Sequence, residues 1–298
     1  MKPQLRGSGG VSMKKEGKKA EFNTLDLTSV RPTIEALLGL KTTRGTDFDV
    51  KPVERVLTLA KLKFGEKKQR VIDCDRVFLY NPDAIASWVF ENHISIFRPL
   101  TSRAGLTCDM LSMNPPVTPV CFASMYTGLQ PEEHGIQSYQ KPVLQVNTVF
   151  DDLAAAGLKV AIICTAGDSI AEIFKERNVD YYIYSKLEHC NMKALELIEK
   201  DCHDLIVLYN GNYDEVMHKK GPESRQSLQA IRENVAAFCQ IHDAIEKHWT
   251  GHNTVLAFAP DHGCHKKLFG RGDHGKLIPE DMNIKHFYSF ISRKDENQ

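Results

Sequence analysis

Apolar residues in this chain fall into short unbroken runs, separated by longer stretches in which they recur every three to four positions. RVFLYN at 76–81 is the first convincing run, and Pro82 and Asp83 follow it at once, before a helix-like AIASWVFENHI. The second half alternates more clearly. The pattern predicts a helix over 150–156, strand VAIICTA at 160–166, helix SIAEIFKER at 169–177, short strand YYIY at 181–184 and a helix over 188–200. Strand DLIVLYN at 204–210 comes next, then a long helix from about Ser224 to His248, strand TVLAFAP at 254–260 and a final strand HFYSFIS at 286–292. Upstream, Pro32 opens a helix through Ile34, Leu37 and Leu38, and a second amphipathic stretch runs from Val53 to Leu62; both are expected to cover an edge or face of the sheet. LTCDMLSMNPPV reads as an apolar, proline-punctuated approach to Thr118, after which a short helix must stop at Gly128.

Strands that are apolar throughout are covered on both faces. The expected fold is therefore α/β, a three-layer α/β/α sandwich around a mainly parallel sheet, with chemistry at the carboxyl edge of the strands. At 298 residues, 42% of them hydrophobic, the chain can bury a large core, and one domain over 22–298 is expected. Residues 1–21, rich in Gly, Lys and Ser, read as a disordered basic tail, with no apolar stretch to make a secretory signal or an anchor. Lys plus Arg and Asp plus Glu both number 38, which leaves no global field to attract polymeric nucleic acid or an anionic membrane. An anionic substrate must then be held locally. Eight scattered cysteines without a Cys-x-x-Cys pair read as reduced thiols in a cytoplasmic protein.

Seven side chains sit at or just past the ends of the apolar runs: Asp83, Thr118, Asp214, His218, Asp261, His262 and His274. Such a set can hold two cations against one hydroxyl, which points to a metal-dependent hydrolase. Each piece alone has a plainer reading. APDHGCH at 259–265 could be a surface turn, Asp214 and His218 a solvated helical turn, and Thr118 an N-cap. A threonine hydroxyl is a poor nucleophile at neutral pH and needs a metal to deprotonate it.

Taken in order, from roughly Asp75 to Ser292, the segments resemble the alkaline phosphatase superfamily, most closely its nucleotide pyrophosphatase, type I phosphodiesterase and phosphonoacetate hydrolase group. The resemblance rests on Thr118 nine residues before Thr127-Gly128, then Pro131 and His134-Gly135-Ile136; on Asp83 after the first strand; on Asp214, His218, Gly221 and Pro222; on Asp261-His262-Gly263; and on His274-Gly275. It implies one metal at Asp214, His218 and His274, a second at Asp83, Asp261 and His262, and Thr118 as nucleophile forming a phosphothreonine. The implied cofactors are two divalent ions, zinc first and manganese second, and the implied substrate is a small phosphate ester, pyrophosphate or phosphonate. A phosphomonoesterase or phosphonate hydrolase is the alternative within the class, and a noncatalytic metal-bound scaffold the alternative outside it.

Two departures from the group stand out. Ala84 replaces the usual glycine after the first aspartate, and the usual asparagine beyond His-Gly-Ile is absent from QSYQKP, where Ser138, Tyr139 or Lys141 is expected to take its place. Tyr139 and Lys141 are the substrate-binding candidates. His134 is expected to fix the Thr118 loop by a hydrogen bond, and Cys121 and Cys264 to be small buried residues. Lys266, Lys267, Arg271 and Lys276 could touch a charged substrate tail or form a solvated loop. Residues 84–114 are expected to wall an open site without a cap, with Phe90, Phe97, Met110 and Met113 either facing substrate or in the core.

Overall fold

The computed structural model describes residues 21–40, 50–67 and 70–294. Its strands are β1 (Arg76–Pro82), β2 (Leu106–Leu111), β3 (Val160–Thr165), β4 (Asp180–Tyr184), β5 (Leu205–Asn210), β6 (Thr254–Phe258), β7 (His265–Lys266), β8 (Gly272–Asp273) and β9 (Asn283–Ile291). Seven of them form one sheet in the order β2-β9-β6-β1-β5-β3-β4, and β7 and β8 form a separate hairpin. β6, β1, β5, β3 and β4 are parallel, whereas β9 runs antiparallel to both β6 and β2.

Side chains alternate between two cores because successive residues of a strand point to opposite faces. Val77, Leu79, Ile162, Leu205 and Val207 face the helices Val30–Leu37, Thr118–Thr127 and Val149–Ala155. Phe78, Tyr80, Ile163, Ile206 and Leu208 face Leu187–Lys200, Asn212–Lys220 and Arg225–His248. The three-layer sandwich with a mainly parallel sheet is the architecture expected from the unbroken apolar runs.

The differences are local. β2 was hidden in the proline-punctuated approach to Thr118: as an edge strand it alternates buried and exposed residues, with Thr107 and Asp109 outward, so its apolar signal is half that of a central strand. Pro32 does not open its helix but sits at the third position of Val30–Leu37, behind a short turn over Leu27–Ser29. AIASWVFENHI begins its helix only at Ser87, breaks at His93 and resumes as Ile94–Thr101. The helix expected over 169–177 ends at Ile173, shortly before Glu176 takes a left-handed φ of 66°. Of the tail over 1–21, only Glu21 is among the described residues, and its carbonyl accepts from Asn283 Nδ2 at 2.8 Å.

Candidate active site

The central strand β1 delivers Asp83 to the carboxyl edge of the sheet. Its backbone N–H donates to Asn210 O at the end of β5 (3.0 Å). Ala84 then takes a φ of 62°, left-handed backbone in which glycine is unstrained and alanine is not, so the alanine preserves the turn at some cost in strain. From that turn the Ala84 N–H donates to Asp261 Oδ1 at 3.3 Å. The turn beyond β6 supplies the next candidate ligands, Asp261 and His262, both fully buried. The turn beyond them requires glycine: a Cβ on Gly263 would lie 2.3 Å from Glu280 O.

Thr118 is the first residue of its helix, the N-cap being Val117, and its side chain makes no capping bond. The plain N-cap reading therefore fails. Thr118 Oγ1 instead lies 3.3 Å from Asp83 Oδ2 and 3.3 Å from His262 Nε2. Asp214 and His218 sit one turn apart on the helix Asn212–Lys220, which starts right after β5. His274 follows the hairpin, its Nδ1 held 3.0 Å from Pro116 O, so Nε2 is the nitrogen that faces the site.

The six acid and imidazole groups form two clusters, Asp83–Asp261–His262 buried and Asp214–His218–His274 half-buried. Their spacing is that of metal ligands. A tetrahedral ion with ligands at about 2.0–2.1 Å separates them by roughly 3.3 Å. Asp214 Oδ1 lies 3.2 Å from His218 Nε2 and 3.4 Å from His274 Nε2, and His262 Nε2 lies 3.2 Å from Asp83 Oδ1 and 3.5 Å from Asp261 Oδ2. Each aspartate also keeps one buried oxygen without a hydrogen-bond partner: Asp83 Oδ1, Asp214 Oδ1 and Asp261 Oδ2. Buried carboxylate oxygens are costly unless a cation or a donor meets them, so the donor set fits two divalent ions. The rings of His262 and His274, with centroids 4.2 Å apart, join the two clusters.

Electrostatics without cations is unfavourable in the same place. Burial, with the charges of Asp261 and Asp214 added, holds the Asp83 carboxyl well above its usual range, and burial lifts Asp261 to about 7. Burial also pulls His262 down to about 3, which keeps its imidazole neutral. Burial works against the Asp214 charge too, yet His218 and His274 together hold that carboxyl below its ordinary value.

A cavity of about 370 Å³ opens beside Asp83, Thr118 and Asp214, and both substrate-binding candidates, Tyr139 and Lys141, line it. Lys141 Nζ already donates to Gly167 O at 2.8 Å and sits 5.3 Å from the Tyr139 ring. No residue of the expected 84–114 segment lines it; the wall instead includes Thr165, Asp168 and Ser169, Ser185 and Leu187, and Tyr209, Gly211, Asn212 and Glu215 around the end of β5. Phe97, Met110 and Met113 are buried in the cores, and Phe90 packs on Phe97 and Phe287. Lys266, Lys267, Arg271 and Lys276 line a different cleft, which shares no residue with this cavity.

His134 behaves as expected: its Nδ1 accepts from Ile136 N–H (3.2 Å), so Nε2 carries the proton donated to Ser124 Oγ (2.9 Å) on the Thr118 helix. Burial raises the Cys121 and Cys264 thiols well above their usual range, and both stay protonated in the core. Tyr209 was missed. Its hydroxyl donates to Asp83 Oδ2 from inside the cavity, and within an unbroken run of apolar residues it carries no signal separating it from a core tyrosine.

The sheet order and the paired clusters at its carboxyl edge define an alkaline-phosphatase-like α/β sandwich with a two-metal site. The profile of the family described as type I phosphodiesterase / nucleotide pyrophosphatase matches residues 80–268, well over half of the chain. The chain belongs to that family. Among solved structures it is similar to murine ectonucleotide pyrophosphatase / phosphodiesterase 5, with 16% identity and a TM-score of 0.51, over 64% of this chain and 58% of that one. It is also similar to phosphonoacetate hydrolase from Sinorhizobium meliloti 1021 in complex with phosphonoformate, with 17% identity and a TM-score of 0.52, over 69% of this chain and 61% of that one. At these identities the likeness concerns the fold, and the chain spans about three-fifths of either structure's length. No curated protein matches the sequence.

Proposed function

We infer that the protein is a two-metal phosphoryl-transfer hydrolase of the phosphodiesterase / nucleotide pyrophosphatase type, with Thr118 as nucleophile. The observation that carries this reading is the position of Thr118 Oγ1, 3.3 Å from Asp83 Oδ2, beside the unpartnered Oδ1 of the same carboxylate, and 3.3 Å from Nε2 of His262. Asp83, Asp261 and His262 would hold the cation beside Thr118, and Asp214, His218 and His274 the second. When bound, two divalent ions neutralise the nonbridging phosphoryl oxygens and lower the pKa of a hydroxyl or water. Oxygen and imidazole donors without thiolate suit zinc, with manganese the second choice.

Thr118 attacks phosphorus in line, the P–O bond to the leaving group breaks, and water then cleaves the phosphothreonine. Asp83 orients the Thr118 hydroxyl, which donates to its Oδ2. Lys141 and Tyr139 would meet the leaving group or a nonbridging oxygen. Asp168 and Glu215 share the cavity with that single lysine, which favours a substrate of low charge such as a diester. The lysine amine keeps a monoester or phosphonate as the second reading. Residues 22–298 would act as one catalytic domain without a cap. Eight unpaired cysteines, six of them buried, support a cytoplasmic setting, and no helix among the described residues is long and apolar enough to cross a membrane.

The test is hydrolysis of matched nitrophenyl monoester, diester and phosphonate substrates by metal-stripped protein refilled with zinc or manganese. Metal-restored turnover, highest on the diester, is expected. Metal uptake without turnover on any substrate would favour the scaffold.

A further inference from the structure

We propose that the β7–β8 hairpin is a docking tip for an anionic phospholipid surface. The chain as a whole is electrically balanced, with 38 basic and 38 acidic residues, but its charge is not spread evenly. Lys266, Lys267, Arg271 and Lys276 all surround one cleft of about 720 Å³, and Leu268 and Phe269 complete its rim. Lys266 pairs with Glu223 and Lys267 with Asp273, whereas among the described residues the side chains of Arg271 and Lys276 have no acidic partner.

The apolar tip is the unusual part. Leu268 is 84% exposed and Phe269 completely so. Phe269 holds a φ of 63°, a conformation that costs an aromatic residue strain and that nothing in its own packing offsets. The tip is also braced. A Cβ on Gly221 would lie 2.3 Å from Gly270 O, and one on Gly272 would lie 2.2 Å from Met217 Sδ, so two glycines clamp the hairpin against the helix Asn212–Lys220. Behind the tip, His265 is fixed through Nδ1 by Asp281 (2.8 Å), which ties the base of the hairpin to the short helix before β9.

An apolar pair on a rigid support, ringed by cations, matches a bilayer interface: the side chains enter the acyl boundary and the cations meet phosphate. Each cation facing an anionic leaflet gains about five-fold in partitioning, and one buried phenyl ring about ten-fold or more. The hairpin also leads directly to His274 and carries Asp273, which lies 3.7 Å from His218. Docking would thus set the carboxyl edge of the sheet close to the lipid.

The test is co-sedimentation of the full chain with phosphatidylcholine vesicles and with vesicles containing phosphatidylglycerol, alongside Phe269→Gly and the double variant Arg271→Glu, Lys276→Glu. Glycine relieves the strained φ, so Phe269→Gly keeps the turn. Binding only to the anionic vesicles is expected, falling about ten-fold in Phe269→Gly and at least as much in the double variant, and lost in high salt. No binding to anionic vesicles overturns the proposal. So does undiminished binding in both variants, which would assign it to other basic segments such as residues 1–21. Equal binding of soluble glycerol phosphate in wild type and Phe269→Gly, without vesicle binding, would mark a plain anion site and also overturn it. None of these readouts depends on turnover.

Discussion

Thr118 Oγ1 and His262 Nε2 lie 3.3 Å apart although 144 residues separate them in sequence. The helix that begins at Thr118 and the turn that follows β6 bring them together, and the same hydroxyl reaches Asp83 Oδ2. Thr118→Ala removes this meeting point without disturbing the helix, since its side chain takes no part in capping. Turnover is expected to fall on the order of 10⁴-fold or more, with fold and metal content retained. Steady-state kinetics beside elemental analysis checks this, and full activity in the variant rules out the covalent route.

Asp261→Asn and His218→Ala each alter one candidate ligand, in different clusters. Each is expected to lower bound metal from two equivalents towards one. Thermal stability in excess metal should drop as well, because binding to the folded state contributes about 2.7 kcal/mol when free metal exceeds Kd a hundredfold. Unchanged stoichiometry in both variants would mean the ligands lie elsewhere.

Lys141 reaches the cavity with one bond already made, to Gly167 O. Lys141→Ala is expected to reduce kcat/KM about ten-fold for monoester or phosphonate and less for a neutral-tailed diester, because the dianion loses a charge-assisted contact. Equal losses across the three substrates would refute a charge-selective role.

His134 is buried, and burial pulls its pKa from 6.5 to about 4. The unfolded chain takes up a proton below about pH 6.5 while the folded chain does not, so the unfolded state binds more protons and stability falls as pH drops. The loss should accumulate between about pH 6.5 and 4, then level off, amounting to about 3 kcal/mol. Denaturant unfolding of wild type and His134→Gln across this range, at fixed metal, should show the wild-type advantage shrinking with acid. A constant difference contradicts the assignment.

The sheet was legible because its central strands are apolar on both faces, and the ligands because they stand where those strands end. What could not be read depends on contacts across the sequence. β2 lies at the sheet edge beside β9 and exposes Thr107 and Asp109, so its apolar residues make no continuous run. The wall at Thr165 to Ser169 comes from the end of β3 and the start of the next helix, which the sheet carries beside Thr118 without any local motif. Sequence distance from a ligand could not choose between substrate contact and a solvated loop for the four cations near His274, which line a cleft that shares no residue with the cavity.

Tyr209 illustrates the same limit and yields the last prediction. Its hydroxyl donates to Asp83 Oδ2, the oxygen that also accepts from Thr118, while Asp83 Oδ1 keeps no hydrogen-bond partner. The phenol thus fixes which carboxylate oxygen is left for a cation, as groups behind metal ligands commonly do, and losing such a group costs about 10–100-fold in metal affinity. Tyr209→Phe removes one hydrogen bond from a residue that is otherwise packed against Phe122 at 5.5 Å between ring centroids, so the fold should stand. Metal titration by calorimetry should show one of the two sites, the one that holds Asp83, loosened by that factor in Tyr209→Phe and the other unchanged. If both sites keep wild-type affinity, the hydroxyl only fills space beside Asp83, and the carboxylate is oriented by its backbone turn at Ala84 alone.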